Sequence, residues 1–390
     1  MKTEKIIIIA NGINGLGAVR SAHQAGLDVI TILTNKRDNA AYSRYASNKV
    51  FLPQKPTKQD LLKNLKEISN THGKCSIICC SDWAAEWASE LSTEIKDLHY
   101  FINISPLTVQ TLNDKKLECE SMIKEGVTIP STETNLEAPL NSKIPLLIKP
   151  RTFADYATLG AKNLVISSEI ELVAFRKKFE DVLDRFIGQE IITGNDDELW
   201  VCNVNFNNNY EMVSFFSFQR LGTTPSHYGV TSMALSKYNE SLYAECAKIG
   251  KAIEYTGPAM IEFKRCPIRD SYFYIETNPR VGMCNWFDTR CGVNNVLYSH
   301  LISQHEETPN SAQRDNKLFL NLTGDIIARA EDREPLRSIA KLYIKHLTKP
   351  KVGATFYWKD PLPGIIFSLN NCSTIVKRAI RLTRNKVFKT

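Results

Sequence analysis

The stretch from Met260 to Asn294 carries the side chains best suited to chemistry: MIEFKRCPIRDSYFYIETNPRVGMCNWFDTRCGVN. Met260 to Arg265 and Tyr272 to Asn278 each alternate apolar and polar residues, and Pro267 to Ser271 between them has turn composition. The pattern predicts a β-hairpin. Pairing around that turn sets Glu262 opposite Glu276, and residues two apart share a face, so Asn278 joins them. Two carboxylates and an amide oxygen converging in this way are hard oxygen ligands suited to Mg²⁺. Arg280 follows at once as a fixed cation beside the metal. The chemistry implied is that of a phosphate-rich substrate; an exposed hairpin with ordinary surface acids is the alternative.

Composition frames that reading. The 390 residues, 43% apolar and 23% charged, suffice for two or three packed units. No apolar run is long enough to span a bilayer, and MKTEKIIIIANG is too short for a signal peptide. The ten cysteines show neither C-x-x-C pairs nor zinc-type Cys/His spacing, so they read as reduced thiols of a cytoplasmic protein. The net charge of +7 is concentrated at the end, where Cys372 to Thr390 holds several Lys and Arg and no acid. A nucleic-acid-binding surface, basic and interleaved with stacking aromatics, is not identifiable.

The elements that position these groups follow from periodicity. Lys5 to Ile32 reads as strand, glycine turn, helix and strand, half of a doubly wound unit, with Ala18 to Ala25 helical and Val29 to Leu33 the second strand. The glycines Gly12, Gly15 and Gly17 are spaced G-x-x-G-x-G, and the second strand ends in Thr34, Asn35 and Lys36 without an acid. A structural turn is therefore expected over a nicotinamide dinucleotide site. Further strands are expected at Lys49 to Leu52, Ser76 to Cys80 and Tyr100 to Ile104, with helices over Lys58 to Asn70 and from Asp82. A helix runs from Asn113-Asp-Lys115 to about Lys124. Pro145 to Pro150 is a buried strand whose Lys149 must be partnered or reach a ligand, because an unpaired buried ammonium is costly. Gln189 to Ile192 and the alternating ELWVCNVNF from Glu198 read as strands, and Tyr238 to Tyr255 as an amphipathic helix. Leu318 to Ile327 fits either strand or helix. In the terminal IVKRAIRLTRNKVF, Ile375, Ala379 and Leu382 share a helical face amid basic residues, which allows docking on the body or contact with anionic lipid.

In order along the chain, the D-K of Asp114-Lys115, the I-K-P around Lys149, the Q-E-x-I of Gln189 to Ile192, IEF at Ile261 to Phe263, ETNPR at Glu276 to Arg280 and CGVN at Cys291 to Asn294 resemble the ATP-grasp superfamily. Upstream, NGINGLGAVRS, SRY, VFLP and SD resemble its pre-ATP-grasp domain in layout more than in strict motif. The resemblance implies an α/β and α+β protein: a Rossmann-like domain over 1–104, a two-lobed ATP-grasp domain over 105–305 with ATP between its lobes, and a C-terminal extension over 306–390 with a basic amphipathic tail. It is similar to the carboxylate–amine ligases, near the D-aspartate ligases and the amide ligases of surface-polysaccharide synthesis.

By that resemblance Lys115 (with Lys116 its rival) and Lys149 contact the ATP phosphates. Gln189, Glu190, Ile191 and Ile192 form the adenine hinge, and Glu198, with Asp197 its alternative, holds the ribose. Glu262, Glu276 and Asn278 hold Mg²⁺, two ions in the family pattern, with Mn²⁺ a substitute. Arg280 and Arg220 stabilise the transferring phosphoryl group, and His227 is a weaker candidate base. The loop Arg151 to Lys162 corresponds to the one that covers the triphosphate. It has a single glycine, Gly160, where relatives are rich in glycine or serine, so Arg151 and Lys162 would supply side-chain charge instead. The reaction implied is ADP-forming amide synthesis through an acyl phosphate. Its partners would be small carboxylates and amines, such as an amino acid, a uronic acid or a glycan, with a homo-oligomer left open. A carboxylase-like ATP-grasp enzyme, a non-catalytic ATP-binding protein and a nicotinamide oxidoreductase are the alternatives.

Overall fold

The structure, a computed structural model, describes residues 4–102, 104–225 and 229–371. The basic tail and His227 lie outside the described residues.

A four-stranded parallel sheet opens the chain, with β1 (Lys5–Ile9), β2 (Asp28–Leu33), β3 (Asn48–Phe51) and β4 (Ser76–Cys79) in the order β3-β2-β1-β4. Its central strand is an unbroken isoleucine run because both faces are covered. Ile6 and Ile8 pack under the helix Gly12–Gln24 with Leu16 and Val19, and Ile7 and Ile9 pack with Leu61 and Leu65 of the helix Lys58–His72. Among the described residues, the expected strand at Tyr100 to Ile104 is only a single parallel bridge from Tyr100 to Ser76.

The glycines sit inside the first helix, which begins at Gly12 rather than Ala18. They serve close packing. A Cβ on Gly15 would stand 2.5 Å from that of Ala10, and one on Gly17 would stand 2.6 Å from Asn285 Oδ1. The amide of Gly12, at the helix start where a pyrophosphate would bind, donates to Asp38 Oδ2 at 2.6 Å.

A second, antiparallel sheet comprises β5 (Thr132–Glu133), β6 (Leu146–Pro150), β7 (Leu164–Ile166) and β8 (Phe186–Glu190), ordered β5-β8-β6-β7. The helix Glu169–Lys178 covers it through Leu172 and Phe175. The third sheet has seven strands: β9 (Leu199–Phe206), β10 (Met212–Thr224), β11 (Val230–Ser236), β12 (Gly257–Cys266), β13 (Ser271–Asn278), β14 (Leu318–Leu320) and β15 (Lys351–Gly353), in the order β13-β12-β9-β10-β11-β14-β15. The helix Glu240–Ala252 seals one face, burying Leu242, Cys246 and Ile249 against Val204 and Phe206. The other face packs Phe216, Phe218 and Ala234 against Trp286 and Phe287.

The ambiguous segment after Lys317 is both things in turn: β14, then the helix Leu322–Glu331. Residues beyond 306 thus complete the sheet that carries the hairpin. They also reach the first domain, where buried Asp360 meets buried Arg20 at 3.0 Å.

Candidate active site

The predicted hairpin forms as β12 and β13, with Glu262 opposite Glu276 and Met260 opposite Asn278. One detail departs from strict alternation. Phe263 pairs with Tyr274, so Ile275 is left without an opposite number and a β-bulge interrupts the ladder. The extra residue turns Tyr274 into the core beside Phe263, where its hydroxyl lies 2.5 Å from Glu118 Oε1 and 2.8 Å from Thr277 Oγ1. Past the bulge, Glu276 and Asn278 hold together on one side, with the Asn278 amide donating to Glu276 Oε1 at 3.3 Å. Glu118 also accepts the Thr277 amide at 2.7 Å, satisfying the free edge of β13. Sequence reasoning passed over Glu118. A glutamate in the first turn of an ordinary helix gives no sign that it will be fully buried, and burial raises its carboxyl to about 7.

Cations gather around Glu276. The helix Lys115–Lys124 starts on an Asp114 cap that accepts from the amides of Lys116 and Leu117. Its first residue sends Lys115 Nζ to 3.5 Å from Glu276 Oε2, so of the two adjacent lysines Lys115 is the one that reaches the hairpin. Lys149 projects from β6, almost wholly buried, and donates to Gln189 Oε1 on β8 at 2.6 Å. Burial works against the Glu276 carboxylate, but Lys115, Lys162 and Lys149 outweigh it and hold Glu276 well below the usual carboxylate range. Burial likewise opposes the Lys115 ammonium, and Glu276 with Tyr156 and Glu118 more than restores it. Lys149 is pushed down, first by burial and then by the charge of Lys115.

Two arginines frame the acids. Arg220 on β10 donates through Nη2 to Glu262 Oε1 at 2.6 Å and through Nε to Thr231 Oγ1 at 2.9 Å, with both members of the ion pair buried. Arg280 donates through Nη2 to Asn278 Oδ1 at 3.0 Å and through Nε to Asp82 Oδ1 at 2.6 Å. Asp82 opens a helix at the carboxyl end of β4, so Arg280 joins the first domain to the hairpin. Arg151 behaves differently from expectation. Its guanidinium grips Asp114 at 2.6 and 3.1 Å and the Asp184 carbonyl at 3.0 Å, so it braces the helix start.

No family model matches the chain, and no curated protein matches it in sequence. Solved structures do match. An N5-carboxyaminoimidazole synthetase from Staphylococcus aureus superimposes with a TM-score of 0.62 over 86% of this chain and 88% of its own, at 16% identity. A biotin carboxylase from Campylobacter jejuni gives 0.61 over 81% and 74%, at 14% identity. An L-amino acid ligase from Bacillus licheniformis gives 0.58 over 82% and 79%, at 12% identity. The chain has the ATP-grasp fold. At such identities the likeness concerns the fold.

The resemblance places ATP between the second and third sheets, and the chain crosses between them after β8. That strand ends at Glu190, so Ile191 and Ile192 lie beyond it rather than within it as the sequence pattern suggested. Ile192 turns inward to pack with Cys266 and Phe273, which stops strand pairing there. The Gln189 side chain is engaged by Lys149 and by Thr132 Oγ1 at 3.0 Å, while Glu190 pairs with Arg269 at 2.9 Å. Glu198 closes a 3₁₀ turn, one residue before β9 begins, and faces Arg265 at 3.6 Å. Asp197 contributes its carbonyl to Gln219 Nε2 at 2.7 Å. Lys264 escaped notice in the sequence, although it stands two residues from Glu262. It is buried, and its ammonium donates to the carbonyls of Gly194 (2.9 Å) and Asn195, tying the crossover to β12.

The donor set of the β12–β13 hairpin fits Mg²⁺. Among the described residues no three Asp, Glu, His or Cys side chains form a cage, and Mg²⁺ is typically held by one or two carboxylates, with water and phosphate oxygens completing its shell. Glu262 and Glu276 supply the opposed carboxylates. Asn278 directs its nitrogen at Glu276 and its oxygen at Arg280, so a half-turn of the amide is needed before it becomes a ligand.

Proposed function

We propose that this chain is an ADP-forming, ATP-dependent ligase that joins a carboxylate to an amine. The observation that supports it most is the charge pattern of the cleft: Lys115, Lys149 and Lys162 act together on Glu276, opposite Glu262 with its own arginine. Such a site gathers several cations suited to a polyphosphate and paired acids suited to its divalent ion. Structural neighbours include an N5-carboxyaminoimidazole synthetase complexed with ADP and a biotin carboxylase domain with MgADP.

Phosphoryl transfer rests on placement and charge neutralisation. In this reading Lys115 and Lys149 hold the phosphates, and residues 189–192 with Glu198 hold the nucleoside. A Mg²⁺ ion bound by Glu262, Glu276 and Asn278 would draw charge from the transferring group. A substrate carboxylate, already ionised near neutral pH, attacks the γ-phosphorus. The bond to the β-phosphate oxygen breaks, ADP leaves, and an acyl phosphate remains. The amine nitrogen then adds to the acyl carbon and loses a proton as phosphate departs. Arg280 and Arg220 stabilise the phosphoryl and acyl-phosphate oxygens.

The test is ADP release with amino acids and uronic acids supplied singly and in pairs. A ligase releases ADP only when a carboxylate substrate is present and forms amide only when an amine joins it. ADP release at the same rate with no acceptor would refute the reading. A second reading, carboxyphosphate formation, is favoured by the likeness to a biotin carboxylase and predicts dependence on bicarbonate instead.

The reading extends to contact with an anionic lipid surface through the chain's end, as suits an acceptor in envelope or surface-polysaccharide synthesis. Leu362, Ile365 and Leu369, spaced for one helical face, are 49%, 47% and 65% exposed and lead into residues 372–390, which hold six Lys and Arg and no acid. The full chain is expected to sediment with phosphatidylglycerol vesicles and a chain ending at residue 371 to stay in solution. Equal partitioning of the two would remove this contact.

A further inference from the structure

A second cavity opens well away from the cleft, at the C-terminal ends of the helices Gly12–Gln24 and Asn285–Arg290. It lies about 15 Å along the first helix from Asn14, which bonds the end of β4 near the hairpin. Its volume is about 300 Å³, and its charged walls are Arg290, Arg314 and Lys317, with Gln24, Asn294 and Gly292 between them. No lining side chain is acidic. Among the described residues, no ion pair joins any of these three cations to a carboxylate.

Arg290 and Lys317 are held by neighbouring groups, while Arg314 is placed through its backbone and its side chain is exposed. The Arg290 guanidinium lies 5.6 Å from the Trp286 ring and 5.8 Å from that of Tyr357, with Nη1 3.5 Å from Gln24 Oε1. The Lys317 ammonium donates to the Arg290 carbonyl. Gly292 adopts φ +105°, open only to glycine at little cost, and its neighbour's carbonyl accepts the Arg314 amide at 2.7 Å. Burial lowers the Lys317 ammonium, and the charges of Arg314 and Arg290 add to that against the raising effect of Cys291. One cation is needed to meet the last carbonyl of the helix Asn285–Arg290. Lys317 does this. Arg290 and Arg314 line the same space, and guanidinium forks match phosphate oxygens two at a time.

We propose that this cavity binds a small phosphate-bearing anion, at a site separate from the ATP-grasp cleft. The site does not depend on the ligase reading, since none of its residues takes part in that chemistry.

Calorimetric titration of the full chain with inorganic pyrophosphate, and separately with ribose 5-phosphate, tests it. The proteins compared are the wild type, Arg314→Gln, the double variant Arg314→Gln with Lys317→Gln, and Lys149→Met. A binding event that persists in Lys149→Met is expected in the wild type, and it is at least about tenfold weaker in the double variant because charge-assisted hydrogen bonds are lost. The single Arg314→Gln variant removes no side-chain bond of the fold, so it reports binding even if the double variant is unstable. A preference for pyrophosphate indicates an inorganic polyphosphate, and one for ribose 5-phosphate a phosphorylated metabolite. Affinity unchanged in all the Arg314 variants, loss only in Lys149→Met, or no heat with either probe would overturn the proposal.

Discussion

Replacing Glu276 by Gln is expected to lower ADP release by roughly 10²–10³-fold while the protein stays folded. The change keeps the shape and removes one charge from the place where Lys115, Lys149 and Lys162 converge. Without that carboxylate the hairpin retains Glu262, already engaged by Arg220, as its remaining acid, and on the proposed reading an Mg²⁺ ion would lose one of its two carboxylate ligands. Lys115 also loses the partner that keeps its ammonium charged against burial. The loss should fall on the chemical step more than on nucleotide affinity, since the lysines proposed to hold phosphate are still present. A stability signature accompanies it. Glu276 titrates lower in the folded chain than in the unfolded one, so its stabilisation is present above the ordinary carboxylate pKa and lost progressively as pH falls from there towards its depressed folded value. The Gln variant is therefore expected to lose less stability on acidification than the wild type. Steady-state ADP release with thermal unfolding at two pH values reads both effects. Near-normal turnover in Glu276→Gln would show that the metal is held elsewhere.

The hairpin was legible because its evidence is local. Two alternating runs and a turn fix which side chains face each other, and Glu262 does lie opposite Glu276. The bulge at Ile275 was not legible, since one residue inserted into a ladder leaves the alternation on either side looking regular. The buried strands around Ile6 to Ile9 and Ile77 could be read from continuous apolar runs. The three-residue strand β14 could be read only as strand or helix and β15 not at all, because they gain their pairing from β11 and from each other rather than from any pattern of their own. The glycines were expected in a structural turn, yet Gly15 and Gly17 lie inside the first helix, where their small size lets it rest on Ala10 and Asn285. Ile191 and Ile192 read as strand because β-branched residues favour it, and the contacts of Ile192 with Cys266 and Phe273 override that preference. The partners of Lys149 and Lys264 were beyond reach for a different reason. Burial shows that a charge needs a partner, and only the fold says which one.

Replacing Arg20 by Met should cost about 3–5 kcal/mol of stability, because it strips a buried carboxylate of its partner. Arg20, on the first helix, donates through Nε to Asp360 Oδ2 at 3.0 Å and through Nη2 to the carbonyls of Thr355 and Asp360 at 2.8 and 2.9 Å. Its guanidinium also sits 5.7 Å from the Tyr357 ring. Burial lowers the Arg20 pKa, and Asp360 opposes that shift, so each charge is tolerable only beside the other. Asp360 further accepts from Ser43 Oγ at 2.8 Å and the Arg44 amide at 3.0 Å, which makes it the joint between the first domain and the segment that follows β15. In Arg20→Met those two donors cannot neutralise it, and the penalty is that of a stranded charge. Adding Asp360→Leu to Arg20→Met should restore part of the loss, since an apolar pair in the same space carries no desolvation cost. Denaturant unfolding of both single variants and the double gives the coupling directly. If Arg20→Met and the double variant were equally destabilised, the cost would lie in packing of the long side chain and not in the unpaired carboxylate.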